Sequence, residues 1–256
     1  IEDIVEMSGI ETLHPGGFAL TKRTAEIAGL KEGMKVLDVS CGRGTQAIYY
    51  AEKFGVSVVG LDLSEEMIAT AINNAKDSSA TERISFVRGD SQDLPFDDNS
   101  FDVLINECAV GIPNDSQKVI DEMVRVAKPG GSIVIHESTW LKGLTDDEKE
   151  DIAERYGTTP LEYSQWKAML TKAGVRNIVS ELEEWSKPEM FWKVRKDRDV
   201  KDYSKVFTYA EQITTLKKIY SIYGLKGIKK GFENRELFYK AIIDGKLGYC
   251  LFKGEK

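Results

Sequence analysis

The 256 residues are enough to bury a large core, as one large domain or as one domain with a sizeable insertion. Hydrophobic residues make up 41% and charged residues 30% of the chain, which is typical of a globular protein and excludes an intrinsically disordered one. The net charge of −7 argues against general nucleic-acid binding, because such binding depends on neutralising phosphates with Lys and Arg.

Membrane and disulfide signals are weak throughout the sequence. No apolar run reaches the ~18–20 residues that a membrane-spanning helix needs, and no signal-peptide pattern opens the sequence as it stands. The three cysteines, Cys41, Cys108 and Cys250, are too few and too scattered for a disulfide framework or a zinc cluster. We therefore expect a protein of the reducing cytoplasm that holds no metal.

Strand-like and helix-like segments alternate along the chain. After a helical segment, FALTKRTAEIAGL, strands are predicted at KVLDVS, SVVGLDLS, ISFVRGD, FDVLINE and SIVIHEST, with helices between most of them and a turn at KPGG. This alternation predicts a parallel, doubly wound sheet with helices on both faces. Right-handed crossovers then bring the carboxyl ends of the strands to one edge, where ligands bind in such folds.

The pattern also predicts how the chain is divided. We expect a helical N-terminal cap at 1–30, a core at 31–187, a helical insertion at 188–245 and a last core strand at 246–256. The insertion is rich in aromatic residues, including Tyr203 and Phe238, and could cover a substrate, pack as core or form a homodimer interface. From 215 to 256 there are ten Lys or Arg against four Asp or Glu, which fits a solvated face or a patch for an anionic substrate or membrane surface.

A glycine-rich turn and three acids lie at the predicted strand ends. Gly42 and Gly44 allow a ligand to approach the backbone at the start of a helix. Asp62, at the end of the second strand, could accept hydrogen bonds from both hydroxyls of a ribose, and Asp90 ends the third strand. GRGTQA also fits the dinucleotide pattern, but Asp38 would repel a pyrophosphate and suits a cationic amino group instead. We therefore favour S-adenosylmethionine over NAD.

The same segments carry a family resemblance. VLDVSCGRG, VVGLDLSEEMI, FVRGDSQDLPFDDNSFDVL and RVAKPGGSIVIHE resemble, in order and spacing, the motifs of class I S-adenosylmethionine-dependent methyltransferases. WKAMLTKAGVRNIVSE and KLGYCLFKGEK are similar to the later strands of that family. The resemblance implies a Rossmann-like, seven-stranded sheet and methyl transfer to a small-molecule acceptor, apolar or planar by preference, with S-adenosylhomocysteine as the product. Ser40 departs from the family, which usually carries glycine at this position.

The resemblance also assigns residues to the cofactor. It implies that Asp38, Gly42 and Gly44 hold the methionine moiety in a loop that includes Cys41, and that Asp62 binds the ribose beside Leu63 and Met67. Asp90, Ser91 and Gln92 would surround the adenine, and Asn106 would lie close to the sulfonium.

The acceptor chemistry is less determined by the sequence. Candidate catalytic residues are His136, as a general base, with Glu107 and Asn106, although a structural role is the alternative for His136 and Glu107. Cys108 resembles a cysteine of arsenite methyltransferases, which leaves an arsenite-type acceptor as an alternative. A non-catalytic S-adenosylmethionine-binding protein is a second alternative, and an NAD-dependent oxidoreductase is disfavoured by Asp38.

Overall fold

A computed structural model describes residues 14–156, 160–193 and 207–256, and at 155–156 and 234–238 it describes the backbone alone. The predicted cap at 1–30 is thus described only from His14 onward. Tyr203 of the insertion and the side chain of Phe238 lie outside the described part.

Eight strands were found in the described residues. They are β1 (Lys35–Val39), β2 (Ser57–Asp62), β3 (Ile84–Arg88), β4 (Phe101–Glu107), β5 (Ala127–Trp140), β6 (Leu161–Glu162), β7 (Arg176–Glu181) and β8 (Leu247–Glu255). The strands that the sequence predicts are all present. β5 is longer than expected because the KPGG segment pairs with the end of the chain, with Gly130 N–H donating to the Lys256 carbonyl at 3.1 Å.

Helices connect most of these strands. They are α1 (Gly17–Ala28), α2 (Thr45–Phe54), α3 (Glu65–Ala75), α4 (Ser116–Val126), α5 (Asp146–Tyr156), α6 (Tyr163–Lys172), α7 (Pro188–Phe191) and α8 (Tyr209–Ile243), with a short 3₁₀ turn at Thr81–Arg83. Local signals explain their ends: the Ser64 hydroxyl caps α3 at Met67 N–H, and the Asp115 carboxylate caps α4 at Lys118 N–H.

The sheet has the strand order β3-β2-β1-β4-β5-β8-β7, and β6 pairs with β5 beside this path. β1, β2, β3, β4 and β5 pair in parallel, whereas β7 and β8 are antiparallel. β1 and β4 are almost entirely buried, as expected for parallel strands covered on both faces. The predicted α/β fold, a Rossmann-like and mostly parallel sheet, is therefore confirmed. The described sheet has eight strands where seven were predicted, because the two-residue β6 adds to the seven of the main path.

The chain forms two compact units. One contains 21–137, 162–181 and 250–256, and holds most of the sheet with α2, α3, α4 and α6. The other contains residues 1–20, 138–161 and 182–249, and holds α5, α7 and α8. In this second unit Trp192 packs edge-on against Tyr239 at 4.8 Å between ring centroids, and Lys246 forms an ion pair with Glu148. Among the described helices, none combines the length and apolar character that crossing a membrane requires.

Candidate active site

The turn between β1 and α2 has several residues with left-handed backbone. Gly42 and Gly44 have φ of 52° and 74°, a conformation that glycine adopts without strain, while Ser40 adopts φ 63° despite its side chain. A Cβ at Gly44 would lie 2.6 Å from Phe86 Cζ and 2.9 Å from Ala71 Cβ. Glycine is therefore needed at position 44 for packing against β3 and α3, a reason that the sequence motif did not reveal.

Asp62 lies at the end of β2 with its carboxylate held by the backbone. Gly42 N–H donates to Oδ2 and Ser64 N–H donates to Oδ1, both at 2.9 Å. Each carboxylate oxygen has a second lone pair, so the group can still accept bonds from two hydroxyls. Next to it, Leu63 is 65% exposed and Met67 is half-buried. The predicted ribose acceptor is thus oriented before any ligand arrives.

Asp38 is the buried acid of this site. It is 2% exposed, and its Oδ2 has no hydrogen-bond partner among the residues that the structure describes. Burial, and then the charges of Glu107 and Asp62, hold the pKa of Asp38 well above its usual range, although a hydrogen bond from the Ala47 backbone opposes the shift. A buried carboxylate oxygen without a partner fits the cationic amino group of S-adenosylmethionine.

The segment after β3 is braced by side-chain hydrogen bonds. Gln92 N–H donates to Asp90 Oδ1 at 2.8 Å, and the Gln92 amide oxygen accepts from Asp115 N–H at 3.1 Å. Farther along, Glu122 accepts from Leu94 N–H at 2.9 Å, while Arg125 donates to the Leu94 carbonyl at 2.9 Å. Ser91 is buried in the same segment. This support from α4 was not predicted from the sequence, because a Glu and an Arg three residues apart also occur commonly on exposed helix surfaces.

Two of the three cysteines, Cys41 and Cys250, hold protonated thiols. Burial, and then the charge of Asp38, raise the pKa of the Cys41 thiol far above its usual value, and burial raises the pKa of Cys250 to about 12. Trivalent arsenic binds thiolates, so these two thiols argue against the arsenite alternative. Cys108 is half-buried, with φ 64°.

The candidate catalytic residues fall on two faces of the sheet. Asp38 pairs in register with Ile105, and Glu107 with His136. Because side chains alternate along a strand, Asp38, Glu107 and His136 share one face and Asn106 lies on the other. Asn106 accepts a hydrogen bond from Ala109 N–H at 3.0 Å, and its buried Nδ2 has no partner among the described residues. The structure thus brings together two of the three predicted residues.

A polar cluster surrounds Glu107. Its Oε2 lies 3.1 Å from His136 Nε2 and accepts from the Thr21 hydroxyl at 3.0 Å, while its Oε1 accepts from the Tyr50 hydroxyl. His136, Tyr50 and Thr21 are all fully buried. One carboxylate thus accepts two hydroxyl hydrogen bonds and lies within ion-pair distance of an imidazole nitrogen in a dry environment, which orients it tightly. Thr21 and Tyr50 were not predicted, because each lies in an amphipathic helix where it reads as core.

Comparison with known proteins identifies the family of this chain. The Methyltransferase domain family model matches residues 30–209. Methyltransferase GfsG of Streptomyces halstedii is 30% identical over 188 residues, covering 71% of this chain and 67% of the relative. Phosphoethanolamine N-methyltransferase 1 of Arabidopsis thaliana is 32% identical over 166 residues, and the match covers 65% of this chain but only 33% of that enzyme.

A solved structure supports the fold. Phosphoethanolamine N-methyltransferase 2 of Haemonchus contortus, bound to phosphomonomethylethanolamine and S-adenosylhomocysteine, superposes with a TM-score of 0.75 at 20% identity. The superposition covers 98% of this chain and 56% of that one, so the chain spans about half the length of the Haemonchus contortus protein. With the family model matching most of its length, the chain belongs to the Methyltransferase domain family and is a class I S-adenosylmethionine-dependent methyltransferase of the small-molecule type.

Proposed function

We propose that the chain methylates a small acceptor that loses a proton in the reaction, with His136 as the general base. The observation that carries this proposal is the His136–Glu107 pair, 3.1 Å apart and buried on the same sheet face as Asp38. A carboxylate beside Nε2 favours the tautomer with its proton on Nε2, which leaves Nδ1 as the basic nitrogen. The pair is therefore suited to accepting a proton.

The chemistry sets modest demands on the protein. When bound, S-adenosylmethionine would supply an activated methyl group: the acceptor atom would bond to the methyl carbon as the C–S bond breaks, and the electron pair would stay on sulfur to give S-adenosylhomocysteine. Alignment and exclusion of water accelerate this step, and a base is needed only when the acceptor must lose a proton. A buried histidine–carboxylate pair thus favours an acidic O–H or C–H acceptor, such as a phenol or an enolisable ring, over arsenite.

For the cofactor we propose the positions that the motifs indicate. The Asp62 carboxylate would bind the two ribose hydroxyls, and the unpartnered Oδ2 of Asp38 would bind the amino group. Asp90, Ser91 and Gln92 would line the adenine, in a segment already braced by α4. Asn106 would lie near the sulfonium from the opposite face, where its Nδ2 could bind a cofactor oxygen.

We further propose that the insertion at 188–245 controls access of the acceptor. Tyr209, Ile213, Tyr220 and Tyr223 of α8 are exposed and follow helical spacing along one face. Such rings can exclude water around an apolar or planar acceptor. A homodimer contact would use the same side chains and is the competing explanation.

A methyl-transfer screen with matched variants tests the base. Purified protein is incubated with S-adenosylmethionine and phenols, quinols, amines, thiols or arsenite, and S-adenosylhomocysteine is quantified. His136→Ala should lose at least ~100-fold of turnover on the accepted class while binding the cofactor normally, since a general base contributes ~10²–10⁴-fold. Asp62→Ala should instead weaken cofactor binding at least tenfold, because each charge-assisted bond contributes about 1.5–3 kcal/mol. Full turnover in His136→Ala, or methylation of arsenite alone, would overturn the proposal.

A further inference from the structure

Tyr50 lies outside the cofactor motifs, which assign no function to it. It is on α2, fully buried, and its hydroxyl donates to Glu107 Oε1. Burial, and then the charge of Glu107, hold the pKa of Tyr50 well above its usual range, so the phenol keeps its proton and remains a donor. An apolar ring would fill the same volume, so the hydroxyl is not needed for packing.

The second oxygen of Glu107 is held from another element. The Thr21 hydroxyl, on α1, donates to Oε2 at 3.0 Å, and this is the oxygen that lies 3.1 Å from His136 Nε2. Two helices therefore fix the carboxylate through one hydroxyl each. Without them, Glu107 has rotatable bonds that could turn its charge away from the imidazole.

The helix that carries Tyr50, α2, also contacts a residue that we propose for cofactor binding. The backbone N–H of Ala47, one turn before Tyr50 on α2, donates to Asp38. The start of α2 therefore holds the acid proposed for the cofactor amino group, and its middle holds the carboxylate behind His136. A shift of α2 would move both groups together.

We infer that Tyr50 is a positioning residue for methyl transfer: with Thr21 it fixes the Glu107 carboxylate against His136 and thereby ties the base to the helix that supports the cofactor. This inference rests on the proposed role of His136. It predicts that Tyr50 acts on turnover through Glu107 and leaves the affinity for the cofactor unchanged.

A double-mutant cycle tests the inference. Tyr50→Phe removes one hydroxyl and should lower kcat about tenfold, with KM and the cofactor Kd unchanged within about twofold, since a hydrogen bond to a charged group contributes about 1.5–3 kcal/mol. Combined with Glu107→Gln, the same change should lower kcat less than about twofold further, because residues acting as a unit are not additive. Tyr49→Phe, which removes a hydroxyl from the neighbouring residue of α2, is the matched control and should leave kcat unchanged.

Two outcomes would overturn the inference. One is additive losses of kcat in the double variant, and the other is a lower melting temperature in Tyr50→Phe with kcat intact. A second readout does not depend on activity: with two histidines in the chain, the His136 ring signals can be assigned in NMR spectra by their loss in His136→Ala. Tyr50→Phe and Glu107→Gln should shift these signals, whereas Tyr49→Phe should not. Shifted signals together with full turnover in His136→Ala would mean that Tyr50 positions Glu107 against His136 but that His136 is not the general base. Unshifted signals would mean that Tyr50 does not position Glu107 against His136.

Discussion

At the scale of single residues, Asp38 is suited to binding a cationic group but lowers the stability of the ligand-free protein. Its carboxylate is buried, and Oδ2 has no hydrogen-bond partner in the described part of the chain. The pKa of Asp38 is raised in the folded protein, mainly by burial, above the ~3.9 of an unfolded aspartate. The ligand-free protein therefore gains a proton on folding between these two values, and its stability should fall as pH rises through that window.

Asp38→Asn should remove this loss of stability with rising pH. At pH 7, the free energy of unfolding without ligand should rise by about 1 kcal/mol or more, because folding of the variant requires neither the burial of an unpaired charge nor the uptake of a proton at this position. The affinity for S-adenosylmethionine should fall at least tenfold, since the cationic amino group loses its counter-charge. Urea unfolding from pH 5 to 8 and calorimetric titration measure the two effects.

Asp102→Asn is the control of opposite sign. Burial opposes ionisation of Asp102, but hydrogen bonds from the Lys128 side chain and the Lys35 backbone hold its pKa below the usual value. The half-exposed ion pair between Asp102 and Lys128 should be lost in the variant, which should lower the free energy of unfolding by about 0.2–1 kcal/mol. Equal stability of wild type and Asp38→Asn at pH 7 would contradict the account of Asp38.

At the scale of elements, α8 is bent by one residue. Gly224 interrupts its 35 residues with φ 64° and ψ −162°, a backbone region that is essentially restricted to glycine. A Cβ there would meet no atom within 4 Å, so any cost of substitution comes from the backbone and not from crowding. The bend in α8 therefore depends on the backbone conformation of Gly224.

Gly224→Ala should destabilise α8 by about 1–3 kcal/mol, because alanine cannot adopt this conformation without strain. Gly231→Ala, in the same helix without positive φ and with open space at its Cβ, should instead stabilise it by up to ~1 kcal/mol. Thermal unfolding followed by far-ultraviolet circular dichroism compares the pair. A higher melting temperature in Gly224→Ala would mean that α8 is straight in solution.

At the scale of the whole molecule, the proposed cofactor residues all belong to the unit formed by 21–137, 162–181 and 250–256. The insertion belongs to the other unit, which also contains residues 138–161. We expect S-adenosylhomocysteine alone to slow hydrogen exchange in the first of these units, because ligand binding suppresses local opening where the contacts are made.

Slower exchange at 207–243 should require an acceptor as well, if the insertion covers it. Hydrogen–deuterium exchange with mass spectrometry, with no ligand, with S-adenosylhomocysteine alone and with both ligands, measures this. Asp62→Ala should abolish the first effect at the same ligand concentration. Protection of 207–243 that depends on protein concentration and not on acceptor would identify a dimer contact instead.

The sequence by itself determined the elements and the cofactor family. Strand and helix periodicities are local, so the α/β alternation, the turn at Gly42 and the acids at the ends of β1, β2 and β3 could be read from neighbouring residues. The unusual Ser40 was also visible, because the motif shows which position normally carries glycine. Its φ of 63° supplies the physical reason for that preference.

Only the tertiary structure decided which polar groups meet. Thr21 and Tyr50 lie 86 and 57 positions from Glu107, and nothing in the local pattern of α1 or α2 marks them as its donors. Strand registers placed Asn106 on the face opposite Glu107 and His136, although Asn106 and Glu107 are consecutive in β4 and His136 lies in the neighbouring β5. Packing of Gly44 against Phe86, and the unpartnered oxygen of Asp38, likewise depend on atoms brought together by the sheet. The physical reason is that burial and hydrogen-bond geometry arise from contacts between distant segments, which periodicity along the chain does not encode.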